Sequence, residues 1–155
     1  MSQSVQKPSK HIRKVNATSE RVGTFKNINR VRDFQFTIDE PKKLGGTNSA
    51  PTPMEYILGS FNGCILIVIE MIANEIDFTF TNLTADTVGE VDRRGLAGTA
   101  DVSPHFHRVI NSITFETEEK EERIEQLKTR VKKRCPAYNL IKDTGIEVTL
   151  NWKKA

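Results

Sequence analysis

Cysteine is scarce in this chain, which has only Cys64 and Cys135 among its 155 residues. No apolar segment follows the basic residues at the N-terminus, so no secretory signal is expected. Without export, two cysteines do not make a disulfide scaffold, and reduced thiols in the cytoplasm are the expectation. Long apolar runs are missing too. The longest, residues 64–69, stops at Glu70 and falls far short of the ~20 residues a membrane span needs. A strong charge of one sign is also absent. Residues 1–14 carry +4 (Lys7, Lys10, Arg13, Lys14) against a chain total of +3, which leaves the remaining body at −1. That small basic tail has no interleaved aromatics, and no nucleic-acid partner is expected. There is no phosphate-binding loop, no Ser/His/Asp order and no internal repeat. His105-x-His107 is an imidazole pair without a third ligand at a telling spacing, so neither a metal nor another cofactor is expected.

What the chain does contain reads as a flexible tail over residues 1–14 and one domain over 15–155, long enough to bury a core. Val22-Gly23-Thr24-Phe25 and the segment after Asn27-Ile28-Asn29 suggest a hairpin. Val31, Phe34, Phe36 and Ile38 then mark a half-buried strand. Asp39-Glu40-Pro41 ends it, and residues 42–49 (KKLGGTNS) form a loop. Phe78–Val91 reads as a long strand region, Asp92–Gly95 as a turn, and Leu96–Val102 as another strand broken at Ser103-Pro104. His107, Val109, Asn111, Ile113 and Phe115 alternate through the next strand. Thr117 is expected to cap a helix with an acidic first turn and a basic last turn, which suits the macrodipole. Ile124, Leu127, Val131 and Cys135 form its apolar stripe. Pro136 interrupts that helix and opens a short one, with Cys135 at its N-cap. Ile146, Val148, Leu150 and Trp152 close the chain as a strand. Strand blocks separated by helices predict an α+β fold.

The centre of the pattern is residues 52–72, TPMEYILGSFNGCILIVIEMI. Thr52 is a predicted N-cap, Pro53 sits at the first helical position, and Glu55 completes a capping box. Ile57, Phe61, Cys64, Val68 and Ile72 recur along one face, and after Cys64 the other faces are apolar too. Such a helix needs a sheet wrapped around it or a second subunit. Cys64 is therefore either a small inert hydrophobe or a nucleophile.

Three segments, DEPKKLGGTNSAPTPMEYILGSFNGC (39–64), EVDRRGLAG (90–98) and CPAYNLIKDTGIEVTLNW (135–152), resemble the OsmC-like proteins, kin of the organic hydroperoxide resistance proteins. The resemblance covers roughly residues 17–152. It implies antiparallel sheets, six strands each, wrapped around long central helices in an intertwined homodimer. It also implies a thiol peroxidase whose helix cysteine, here Cys64, reacts with an organic hydroperoxide. Cys135 would resolve the product, and an external dithiol would reduce the disulfide.

A thiol attacks peroxide as thiolate, and burial on a helix interior opposes that form. Cys64 lies about three turns into its helix, too far to gain from the dipole, so a cation must come from elsewhere. A guanidinium suits an apolar pocket. In Ala17–Gly23, Arg21 resembles the hydroperoxide resistance arginine; Arg32, before Asp39, is the runner-up. Glu55 would orient that arginine, although Met54 separates it from Pro53, which moves it about 100° around the helix. Cys135, at an N-cap beside Lys133 and Arg134, is expected to favour thiolate. Ile57, Phe61 and Ile65 are candidates for an apolar substrate wall. The second reading is a non-catalytic OsmC-like dimer that binds a small apolar ligand or a partner.

Overall fold

The computed structural model describes residues 11–155. Lys7 and Lys10 of the expected tail lie outside the described residues, while Arg13 and Lys14 are exposed. Contacts divide the chain into two compact units, Met1–Pro53 and Met54–Ala155.

The first unit carries an antiparallel sheet ordered β1 (Thr18–Gly23), β2 (Lys26–Val31), β3 (Phe34–Ile38). The hairpin forms one step earlier than expected: Thr24-Phe25 is its tip, and Asn27 to Asn29, expected between the two strands, belong to β2 and pair with β1. The strand expected from Val31 through Ile38 is broken. Val31 pairs with Phe34 across a turn at Arg32-Asp33. A spacing of three between those two apolar residues already fails the period of two that a single strand requires. Arg32 sits at φ 55°, which is uncommon for a residue with a side chain, and its guanidinium lies 4.9 Å from the Phe34 ring centroid.

The loop that follows explains its own composition. Asp39 is fully buried and accepts from the backbone N–H groups of Glu40 (2.8 Å), Thr47 (3.1 Å) and Ser49 (2.9 Å). The hydroxyls of Thr47 and Ser49 donate to it as well. Gly46 admits no side chain, since a Cβ there would sit 1.9 Å from the Glu40 carbonyl oxygen. The Thr47 hydroxyl, followed by the other donors, holds the Asp39 carboxyl well below its ordinary value of 3.8. A depressed carboxyl contributes stability above its unfolded pKa and loses it as pH falls. The melting temperature of the wild type is therefore expected to drop on acidification below about pH 4. Asp39→Asn should flatten that part of the profile, as read by circular dichroism melts.

The second unit opens with α1 (Pro53–Glu75), beginning where the cap pattern placed it. Next come β4 (Asn82–Val91), α2 (Arg93–Ala97), β5 (Phe106–Glu116), α3 (Glu121–Arg134), α4 (Pro136–Lys142) and β6 (Glu147–Lys154). The sheet order is β4-β5-β6, antiparallel for the first pair and parallel for the second. A parallel return needs a long crossover, and α3 and α4 supply it. By length and composition α1 could cross a membrane. Instead Phe61, Ile65, Val68, Ile69, Ile72 and Ala73 are buried in a core shared with Val109, Ile113, Phe115, Ile124, Leu127, Val131 and Trp152. Burial within one chain covers one face only, because Ile57, Ile67 and Met71 remain exposed.

Four expectations change here. β4 starts at Asn82, so Phe78 and Phe80 precede it, and both pack edge-on against Phe115. Leu96–Val102 is not a strand: Asp92 accepts from Arg94 N–H at 2.9 Å and caps the short α2. Gly95 lies so close to Val102 and Pro104 that a Cβ would come within 2.6 Å of the Val102 oxygen, which fits a chain folded back on itself. Thr117 does not cap α3, whose N-cap is Lys120. The Thr117 hydroxyl instead donates to the Thr79 carbonyl and accepts from Glu119 N–H. His107 also leaves the buried alternation. A bulge shifts the β4–β5 register at Glu90/Val91, which brings Phe106 inward and His107 out.

Candidate functional site

Cys64 lies near the middle of α1 and is partly buried, while Cys135 is fully buried at the corner between α3 and α4. The corner follows from local chemistry. Pro136 disfavours the helical region for the residue before it, so Cys135 takes φ −73°, ψ 114° and α3 ends. The same proline fits the first position of a new helix, and Cys135 becomes its N-cap, with Sγ accepting from Tyr138 N–H at 3.5 Å. Asn139 Nδ2 fastens the bend by donating to the carbonyls of Lys132 (3.0 Å) and Cys135 (2.9 Å). The amphipathic stripe of α3, Ile124, Leu127 and Val131, then carries Cys135 inward as its next member. At the other end of α1, Arg123 Nη2 donates to the carbonyls of Ile76 (2.8 Å) and Asp77 (3.1 Å), and Arg134 pairs with Glu75. These contacts tie α3 to the C-terminal end of α1.

The result is a thiol–thiol contact. Cys135 Sγ lies 3.7 Å from Cys64 Sγ, and both cysteines are free. A disulfide needs about 2.05 Å, so closure requires less than 2 Å of sulfur movement. The 71-residue separation gave no access to this distance.

Cys135 does not favour thiolate. Burial first, and the neighbouring Cys64 sulfur to a lesser degree, push its pKa from 9.0 up to about 11, against the opposing Tyr138 N–H. Its cationic neighbours do not offset this. Arg134 turns to Glu75, which lowers the Glu75 pKa and raises that of Arg134, and Lys133 is exposed. The sign is clear for any step that uses the Cys135 thiolate. Its population grows about tenfold per pH unit until pH approaches 11. In a stopped-flow experiment, disulfide closure is therefore expected to accelerate steadily between pH 7 and 10; a flat profile would contradict a protonated resting thiol.

The remaining candidates fall in both units. Ile57 is exposed and lies two turns before Cys64, whereas Phe61 and Ile65 are fully buried core residues. Glu55 occupies the first turn of α1 and is exposed. In the first unit, Arg21 is exposed on β1 and lines a shallow hollow with Phe25, Ile38 and Glu40, and Arg32 stands at the hairpin tip. His105 and His107 are exposed, and the described residues hold no cluster of three metal-ligating side chains.

One group escaped the sequence reading. Asn62 of α1, Thr87 of β4, Asn111 of β5 and Trp152 of β6 form a connected polar chain within the second unit. The available signal was Asn111 itself, an amide in the middle of an inward-facing apolar alternation.

An α+β chain with a paired, reduced thiol site is thus defined. The OsmC-like protein family model matches residues 46–151, and the chain belongs to that family. None of the curated proteins matches it significantly. Among solved structures, an OsmC-like protein from Mycoplasma pneumoniae is similar with TM-score 0.80 and 19% identity, covering 92% of this chain and 98% of that one. An organic hydroperoxide resistance protein OsmC from Legionella pneumophila gives TM-score 0.72 at 18% identity, covering 93% and 99%. The organic hydroperoxide resistance protein of Bacillus subtilis gives 0.62 at 16% identity, covering 90% and 98%. These likenesses establish the fold.

Proposed function

We propose that the protein is a thiol-dependent reductase of organic hydroperoxides. The observation that carries this reading is the 3.7 Å contact between Cys64 and Cys135. Packing alone does not require two sulfurs to meet, because a buried cysteine is satisfied by any apolar neighbour. The more accessible Cys64 thiolate attacks the distal peroxide oxygen and the O–O bond breaks. The alkoxide leaves with a proton as the alcohol, and Cys64 becomes a sulfenic acid. The Cys135 thiol then attacks the Cys64 sulfur, its proton and the sulfenic hydroxyl leave as water, and a disulfide forms. An external dithiol returns both residues to thiols and becomes a disulfide itself. The cycle suits a compartment that keeps thiols reduced, such as the cytoplasm.

The first test needs no substrate identification. One equivalent of cumene hydroperoxide added to the reduced protein should remove two hydrogens from the intact mass and link the Cys64 and Cys135 peptides. An unchanged thiol titre would sink the reading.

In this reading the guanidinium comes from Arg21, with Arg32 as runner-up, and Glu55 orients it. Arg21→Ala is expected to slow peroxide consumption by about 100-fold, the scale of losing one directed donor at a developing charge. Arg32→Ala should stay near wild type, since Arg32 is already engaged over Phe34. The reverse outcome would exchange the two assignments.

The protein is further proposed to act as a homodimer, in which two copies of each three-stranded sheet supply two six-stranded sheets. The raised pKa of Cys135 favours a second reading, an OsmC-like dimer that binds an apolar ligand without turnover. Iodoacetamide alkylation of Cys64 followed against pH separates the two. A midpoint below the ordinary thiol value supports the reductase, and a raised one supports the binding protein.

A further inference from the structure

A polar chain, half-buried at Asn62 and Thr87 and buried at Asn111 and Trp152, begins two residues before Cys64 and takes no part in the redox steps. The Thr87 hydroxyl donates to Asn62 Oδ1 at 2.6 Å. Asn111 Nδ2 donates to Thr87 Oγ1 at 2.8 Å and reaches Asn62 Oδ1 at 3.5 Å. Trp152 Nε1 donates to Asn111 Oδ1 at 3.1 Å. One helix and all three strands of the second sheet are joined through four side chains.

Asn111 is fully buried on a strand face whose neighbours are Val109 and Ile113. An amide there is costly unless its hydrogen bonds are met, and an apolar residue would hold the layers together as well. Apolar contact, however, is non-directional, and a helix resting on it can turn about its axis. Hydrogen bonds lose strength steeply with misalignment, so they resist that turn.

The helix geometry shows what the turn would move. Successive residues advance about 100°, which places Asn62 and Cys64 about 160° apart around α1. Phe61 and Ile65 fill the buried sector between them. With side chains ~5–6 Å from the axis, a rotation of about 10° shifts a sulfur by roughly 1 Å. That is more than half of the movement separating the present contact from a disulfide.

We propose that Asn62, Thr87 and Asn111 are positioning residues that lock the rotation of α1 against the second sheet, so that Cys64 presents its sulfur to Cys135. The proposal rests on the redox reading of the pair but does not require peroxide chemistry. Its effect is on the effective concentration of one thiol at the other. Loss of the pin lowers that quantity by about tenfold or more, the scale expected for a misplacement near 1 Å.

The experiment equilibrates full-length wild type, Thr87→Val and Thr87→Ser in glutathione redox buffers and measures the disulfide fraction by alkylation and mass spectrometry. Thr87→Val preserves shape and removes the hydroxyl; its pair is expected to be about tenfold easier to reduce, a potential about 30 mV higher. Thr87→Ser restores the hydroxyl and should restore the wild-type equilibrium. A merely structural role would lower the melting temperature of Thr87→Val and leave the thiol equilibrium unchanged, which would overturn the proposal. Asn62→Ala, at the less buried end of the chain, gives the same reading if Thr87→Val does not fold. If wild type forms no Cys64–Cys135 disulfide at any glutathione ratio, the redox reading and this inference fall together. If it forms the disulfide yet consumes no hydroperoxide, only the reductase reading fails.

Discussion

Cys64→Ser is expected to reduce thiol-dependent hydroperoxide consumption to the uncatalysed background, while Cys135→Ser consumes one equivalent and stops. The two variants differ because in the proposed cycle the two sulfurs do different work. A serine hydroxyl at position 64 cannot form an S–O bond, and Cys135 is too buried and too rarely ionised to replace it. Removal of Cys135 leaves the first attack intact and takes away the thiol that traps the sulfenic acid. A sulfenic acid without a resolving partner is either reduced slowly by external thiol or oxidised further to sulfinic acid, which is irreversible here. A peroxide-consumption assay with a dithiol reductant therefore reads zero for Cys64→Ser. For Cys135→Ser it reads a burst of one equivalent per chain. Intact mass should then show one added oxygen, rising to two with excess peroxide. Equal turnover by both variants and wild type would remove the mechanism altogether.

The local structure that carries both cysteines was legible in the sequence, and the reasons are local. α1 starts at Pro53 with Glu55 in its first turn, where the pattern of Thr52, Pro53 and Glu55 predicts, because such signals reach no further than one helical turn. The corner that holds Cys135 follows from Pro136 alone, because the steric rule acts on the adjacent residue. What was misread depended on contacts distant in sequence. Thr117 looks like a helix cap, but its hydroxyl is taken by the Thr79 carbonyl 38 residues earlier. Leu96–Val102 has strand-like apolar spacing, yet Asp92 caps a short helix there and Gly95 packs against the Val102 carbonyl. Basic neighbours suggested an ionised Cys135. Its complete burial, together with the Glu75 carboxylate that claims Arg134, reverses that sign. The polar chain from Asn62 to Trp152 joins residues up to 49 apart in sequence in a single hydrogen bond, and no local pattern could have announced the pairing.

In the homodimer proposed above, Ile67→Asp is expected to convert dimer to monomer. Within one chain the outer side of α1 carries Ile67 at 60% exposed and Met71 at 51%, an apolar surface on a helix whose opposite side fills the core. On the same side, a Cβ added at Gly59 or Gly63 would meet nothing within 4 Å, so the backbone there is open to close approach. In an isolated chain Ile67→Asp is a surface change, and such changes usually cost within about 0.5 kcal/mol. In a homodimer built through these helices the aspartate is buried, and a two-fold axis imposes the penalty twice. At about 2 kcal/mol per copy the dimer loses ~4 kcal/mol, or roughly a thousandfold in dissociation constant. Light scattering coupled to size exclusion should then report the monomer mass, with the circular dichroism melt of each chain little changed. The same variant separates the roles of dimerisation and thiol pairing. The Cys64–Cys135 contact lies within one chain, so a disulfide should still form in the monomer with diamide. Loss of hydroperoxide consumption in a monomer that still closes its disulfide would place the activating group in the partner. An unchanged dimer would mean that the outer side of α1 is not the interface.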